Sequence, residues 1–259
     1  MSSNAELHTL KQRTDNYAYV LRCRETGLCA VIDASEPDSV LELLARIDGR
    51  LSLILNTHHH PDHTAANPEL VARTGAPVLA APWSGHAGSG PDITLKDGDP
   101  IILGRLRGTV LATPGHTLSD LCFWFEADRL LFTGDTLFSM GCGRLFEGTA
   151  RQMWASLTRL RALPADTLVL CGHDYTLGNI AFARSLDPHN AALLEWEATV
   201  RARKAVGALP PHPTLGLEAR ANPFLRADDP DIQKSLDMPG ADPSDVFAEI
   251  RRRKDHFTA

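Results

Sequence analysis

The chain has 259 residues, 43% hydrophobic and 22% charged, ordinary values for one large or two modest globular domains whose core needs no disulfide staple. With 26 Lys and Arg against 32 Asp and Glu, the formal charge of −6 disfavours sequence-independent binding to nucleic acid. No apolar run approaches the ~20 residues that span a bilayer, Met1-Ser2-Ser3-Asn4-Ala5-Glu6 lacks a signal-peptide pattern, and Cys23, Cys29, Cys122, Cys142 and Cys171 form no C-x-x-C pair, so a cytoplasmic protein with reduced thiols is expected.

In chain order, Tyr17–Leu21 and Leu28–Ile32 read as strands around a Glu25-Thr26-Gly27 turn. Ser39–Ile47 sets Val40, Leu43, Leu44 and Ile47 at helical spacing, and the apolar run Leu51–Leu55 predicts a strand buried on both faces. A helix is expected at about 64–74 and another at 149–162, with Thr149 as N-cap. Further strands are predicted at Val78–Ala81, Ile101–Leu103, Val110–Ala112, Leu121–Phe125, Leu130–Thr133 and Thr167–Cys171. After His173 the strand signal fades. Helices are expected near 176–186 and 189–206, a Pro210-Pro211-x-Pro213 loop follows, and a last helix covers Ser244–Lys254. The chain thus reads as a layered α/β domain followed by a smaller, mostly helical part.

The centre of the sequence is Asn56-Thr57-His58-His59-His60-Pro61-Asp62-His63, directly after a predicted strand and before a helix. Imidazole and carboxylate together suit zinc, iron or manganese, and so many ligand types in six residues exceed what a solvated loop requires. His116, Asp135 and His173 recur at matching places, each just past a predicted strand and directly after glycine. Ligands at the carboxyl ends of several strands converge on one edge of a sheet, where α/β folds place their sites. Asp33, ending the second strand, is weighed as a support for a ligand or as a turn residue, and is read as structural.

The pattern H-x-H-x-D-H with a later His, Asp and His resembles the metallo-β-lactamase superfamily, which implies an α/β fold, an αββα sandwich. Thr14-Asp15-Asn16-Tyr17, Phe132-Thr133-Gly134-Asp135-Thr136-Leu137-Phe138, the run from Gly141 to Thr149, Cys171-Gly172-His173-Asp174-Tyr175-Thr176 and Arg251-Arg252-Arg253-Lys254-Asp255 resemble the glyoxalase II (hydroxyacylglutathione hydrolase) family over essentially the whole chain. That resemblance implies a metal-binding hydrolase domain over 1–174 and a mostly helical glutathione-binding domain over 175–259. It places His58, His60 and His116 on one divalent ion, Asp62, His63 and His173 on a second, and Asp135 between them. Zinc is the expected metal, with iron and manganese as alternatives, and Asp62 and Asp135 carry the catalytic roles. His59 is left structural.

The same resemblance implies a glutathione thioester, S-D-lactoylglutathione above all, as substrate, in the second step of methylglyoxal detoxification. Arg251 and Lys254 lie three apart on the last helix; composition alone reads them as a solvated basic helix end, and the resemblance assigns them to the glutathione carboxylates. Tyr175 and Asn179 match glutathione-contacting positions, while Arg144 and Phe146 stand where the family commonly has Lys and Tyr. The weighed alternatives are a glutathione-linked persulfide dioxygenase with a single iron, a nuclease of the same superfamily, and a non-catalytic metal-binding module. A monomer with no nucleic-acid or membrane partner is expected.

Overall fold

A computed structural model describes residues 4–82 and 90–258. They fall into two compact units: one comprises the chain up to Ala112 together with Ser119–Gly134, the other Thr113–Leu118 and the chain from Asp135 onward.

In the first unit, β1 (Ala5–Gln12), β2 (Asn16–Cys23) and β3 (Leu28–Ile32) run antiparallel in succession. After helix α1 (Pro37–Arg46), β4 (Arg50–Leu55) joins β3 in parallel. The chain then forms α2 (Pro61–Thr64), α3 (Asn67–Thr74), and the short parallel strands β5 (Val78–Ala80) and β6 (Ile93–Thr94), giving the order β1-β2-β3-β4-β5-β6. A second sheet is an antiparallel meander of β7 (Pro100–Leu103), β8 (Leu106–Ala112), β9 (Leu121–Phe125) and β10 (Leu130–Gly134).

Strand β2 shows why the layers hold. Ala18 and Val20 point to one face, where they join Val40, Leu43 and Leu44 of α1 and Leu70 of α3 in one apolar cluster. Tyr19, between them, points to the other face, as the two-residue strand period requires. Its ring meets Phe132 of β10 edge-on at 5.5 Å, and Phe132 meets Phe125 at 6.0 Å. Helices therefore cover one face of the first sheet while the second sheet covers the other.

Two features of this unit differ from expectation. Ala5–Gln12 is a strand that the sequence analysis does not predict: its side chains are mixed in polarity and mostly half-buried, and pairing along the full length of β2 holds it extended. The helix expected at 64–74 is two helices. The N–H of Ala66 bonds to the carbonyl of Ala34 at 3.2 Å, and Pro68 enters the first turn of α3, where its missing N–H costs nothing. Gly75 ends α3 in the left-handed conformation at φ 70°.

The second unit contains the hairpin β11 (Leu137–Phe138) and β12 (Gly141–Cys142), strand β13 (Leu168–Cys171), and helices α4 (Ala150–Arg161), α5 (Thr176–Leu186), α6 (Ala191–Ala205), α7 (Leu215–Ala221), α8 (Pro230–Ser235) and α9 (Pro243–Asp255). Thr149 caps α4 as expected, in a reciprocal box with Gln152. Ile180, Ala183, Leu193, Trp196 and Val200 form the apolar seam of α5 and α6. The two-residue strands and the short helices α7 and α8 were not predicted, since so few residues carry no period to read. Among the described residues no helix is long and apolar enough to cross a membrane, and all five cysteines are buried thiols.

Candidate metal centre

The first unit builds its ligand loop on the end of β4. Asn56 is fully buried; its side-chain amide donates to the carbonyl of His63 at 2.8 Å and its oxygen accepts from Asn67 at 2.7 Å, which closes the loop over residues 57–63. Thr57 donates from its backbone to Asp33 Oδ1 (2.8 Å) and from its hydroxyl to Asp33 Oδ2 (2.6 Å). The same Oδ2 stands 3.2 Å from His63 Nδ1, and Asp33 itself is held at φ 56°. Asp33 is thus both turn residue and support, the two roles weighed against each other in the sequence. Gly134 is required here: at φ 47°, any Cβ would strike the Thr57 hydroxyl.

Four candidate ligands converge on this loop. His58 Nε2 lies 3.1 Å from His60 Nδ1, and His63 Nε2 lies 3.6 Å from Asp62 Oδ2. Asp33, His58 and His63, all buried, each bring one ligand atom within 4.8 Å of the others. His59 stands outside that group, with its ring edge-on to His60 at 5.2 Å.

The second unit supplies His116, Asp135 and His173. His116 Nδ1 is engaged by the carbonyl of Arg144 at 2.8 Å, which turns Nε2 toward Asp135. A single oxygen, Asp135 Oδ2, lies 3.5 Å from His116 Nε2 and 3.5 Å from His173 Nε2. His173 is stacked on Tyr175, with centroids 4.8 Å apart and planes 4° from parallel. Gly143 lies against Asp135 so closely that a Cβ would collide with its carbonyl oxygen.

This donor set fits divalent metal ions. A tetrahedral ion with metal–nitrogen bonds of about 2.0–2.1 Å separates its ligand atoms by roughly 3.3 Å. The His58–His60 spacing of 3.1 Å and the two Asp135–His spacings of 3.5 Å lie on either side of that edge length. Three of the imidazoles are also aimed by a partner on the other nitrogen, as metal-binding histidines are: Thr57 Oγ1 at 3.0 Å for His58, Asp33 for His63, Arg144 for His116.

The expected glutathione contacts are placed as follows. Phe146 is exposed, lies edge-on to His116 at 5.2 Å, and carries the Arg144 guanidinium 4.7 Å over its ring. Tyr175 is also exposed. Asn179 is buried and donates to the carbonyl of Ser139 at 3.1 Å. Arg251 is buried as well, donating to the carbonyl of Cys142 at 3.0 Å and to Asp255 at 3.0 Å, with its guanidinium 5.0 Å over Phe224. Lys254 donates to the carbonyl of Gly178 at 3.0 Å and sits over the rings of Phe182 and Phe257; burial pushes its amine down to about 8. The last two are therefore working parts of the helical packing, whatever else they bind. Sequence reasoning gave Asn16 and Asn56 no role of their own: Asn16 stood only within the Thr14-Asp15-Asn16-Tyr17 motif and Asn56 only at the head of the histidine run.

A two-sheet α/β unit with histidines and aspartates at its strand ends defines a metallo-β-lactamase-type metalloprotein, and residues 13–173 match the metallo-beta-lactamase superfamily model. Residues 174–257 match the model of the hydroxyacylglutathione hydrolase C-terminus. The chain belongs to the hydroxyacylglutathione hydrolase family of that superfamily. It is 49% identical to a hydroxyacylglutathione hydrolase of Rhodospirillum rubrum, covering 98% of this chain and 100% of the relative. It is also 49% identical to one of Methylococcus capsulatus, over 94% and 95% of the two chains. A crystal structure of ETHE1 from Myxococcus xanthus matches with a TM-score of 0.69 at 28% identity, covering 95% of this chain and 90% of that one. The fold is the α/β metallo-β-lactamase fold with a C-terminal helical region, as the motifs implied.

Proposed function

We propose that this enzyme hydrolyses S-D-lactoylglutathione, and other S-(2-hydroxyacyl)glutathiones, to glutathione and the 2-hydroxy acid. The observation that carries the reading is full-length family membership together with a complete donor set, in which Asp135 Oδ2 is equidistant from two imidazoles. We assign His58, His60 and His116 to one divalent ion, Asp62, His63 and His173 to a second, and Asp135 to both. Zinc is the metal we favour, because nitrogen and carboxylate oxygen are its common ligands. Bound there, such ions supply an acidified water at neutral pH and polarisation of the acyl carbonyl.

The chain's own residues do the rest. Asp135 offers one carboxylate oxygen, Oδ2, to both His116 and His173, one ligand from each assigned set. Asp62, whose side chain is 31% exposed, receives the proton of the attacking water. The thiolate leaves with little acid assistance, since its parent thiol has a pKa near ~8.5. Residues 1–174 form the hydrolase part. Residues 175–259, with Arg144 and Phe146 from the preceding loop, grip the glutathione moiety through Tyr175, Asn179, Arg251 and Lys254. We read the protein as a cytoplasmic monomer. The test is to count metals per chain and to assay S-D-lactoylglutathione beside a glutathione persulfide. Thioester loss at two metals per chain supports the reading; persulfide oxidation at one iron per chain replaces it with a dioxygenase.

A further inference from the structure

The hairpin turn between β1 and β2 lies at the end of the first sheet where parallel strands β3 and β4 finish, because β2 runs antiparallel to β3. Arg13 closes this turn at φ 48°, and Gln12 and Asn16 pair across it. Cross-strand partners project to the same face, and both side chains reach away from the turn. Gln12 donates to the carbonyl of Glu36 and the hydroxyl of Ser39, and its oxygen accepts from the backbone N–H groups of Ser35 and Glu36, which pins the loop just after Asp33. Asn16 does the equivalent for the ligand loop. Its side-chain amide donates to Asp62 Oδ2 at 3.1 Å and to the backbone carbonyl of Asp62 at 3.1 Å.

We propose that Asn16 is a positioning residue for Asp62, holding its carboxylate by side chain and backbone together. The need is visible in the exposures. The Asp62 side chain is 31% exposed whereas that of its neighbour His63 is 1% exposed, so packing fixes the imidazole and leaves the carboxylate to be fixed otherwise. The terminal torsion of an aspartate is soft, and a carboxylate that rotates loses its aim. Asn16 is 5% exposed and spends both hydrogens of one amide on this one residue, 46 positions away. The oxygen it grips is the one that faces His63 Nε2, at 3.6 Å. A residue serving the turn alone would bond within the turn.

The inference rests on Asp62 being a metal ligand, and the test separates the two. Asn16→Asp keeps the shape and replaces the donor with an acceptor facing Asp62; Asn16→Ala removes both. Zinc affinity is measured by chelator competition on the purified full chain, with kcat and KM for S-D-lactoylglutathione alongside. Outer supports of metal ligands change affinity or activity by about 10–100-fold when removed. Both variants should hold their weaker zinc ion that much less tightly and lose kcat while KM stays near the parent's. Parent-like zinc affinity and kcat in Asn16→Asp, with loss confined to Asn16→Ala, would show a packing residue and overturn the proposal. If Asn16→Ala does not fold, Asn16→Asp decides alone. The parent's own metal count tests the two-metal reading, and the variant-to-parent ratio tests Asn16 at whatever count the parent shows.

Discussion

Asp33 holds His63 from behind: the carboxylate oxygen that lies 3.2 Å from His63 Nδ1 also accepts the Thr57 hydroxyl at 2.6 Å. One buried acid therefore sets the orientation of a candidate ligand and the start of the loop that carries the others. Asp33→Ala should leave the backbone N–H of Thr57 and the imidazole of His63 without this acceptor, at about 1–3 kcal/mol for each buried group stranded. We expect a lower thermal midpoint together with weaker zinc binding in chelator competition. Because the residue sits at φ 56°, Asp33→Asn should be milder, as asparagine tolerates that backbone. A variant with the parent's midpoint and the parent's zinc affinity would contradict the role.

Asp135 should matter to every bound ion. Its Oδ2 is 3.5 Å from both His116 and His173, so Asp135→Ala should lower the metal count and abolish most turnover. His59→Ala is the matched control and should keep its metals and most of its activity. Elemental analysis of the two variants checks both statements. Full metal content in Asp135→Ala would remove the shared-ligand assignment, and metal loss in His59→Ala would show that the loop's ligands were misassigned.

Arg251 and Lys254 should separate on substitution. Lys254→Ala removes an amine from a ring-lined seat; if that amine also meets a glutathione carboxylate, KM rises while kcat holds. Arg251→Ala should first cost stability, about 1.5–3 kcal/mol for a buried charge-assisted bond to the Cys142 carbonyl. Steady-state kinetics and thermal unfolding on each single variant distinguish the two. Equal KM in Lys254→Ala and the parent would make that lysine a structural residue only.

Glu218 should make the stability of the second unit fall with rising pH. It is fully buried, accepts the N–H of Met140 at 3.1 Å and the amide of Asn222 at 2.7 Å, and burial pushes its carboxyl up from 4.5 to about 8. The unfolded chain loses this proton near its ordinary value while the folded chain keeps it, so the contribution is full below 4.5 and is drained as pH climbs to about 8. The isosteric Glu218→Gln does not titrate. The difference in thermal midpoint between parent and variant should therefore shrink as pH rises across that window. Parallel profiles would contradict the raised acid.

The candidate ligands were legible because strand ends and glycines mark where a loop must turn, and a run such as His58-His59-His60-Pro61-Asp62-His63 has few bland uses. The strands with apolar runs, β2, β3, β4 and β9, were legible for the same kind of reason. What supports the ligands was harder to see. Asn16, Asn56 and Gln12 are polar residues near turns, and only the folded chain shows that the amides of Asn16 and Gln12 reach loops 46 and 23 positions away and that the amide of Asn56 closes its own loop on His63. From composition alone Arg251 and Lys254 read as a solvated basic helix end, and from the family resemblance as glutathione contacts, yet the rings of Phe224, Phe182 and Phe257 receive their charges within the second unit. A helical pattern gives spacing along one element and says nothing of aromatic faces brought up from others.

The most direct test of the account is single-turnover hydrolysis of S-D-lactoylglutathione by protein whose metal content has been measured. The account predicts one glutathione thiol and one D-lactate released per thioester consumed, with the rate rising to a plateau at two divalent ions per chain and vanishing on chelation. An intact thioester in the presence of protein carrying two metals, or full activity in metal-free protein, would contradict it.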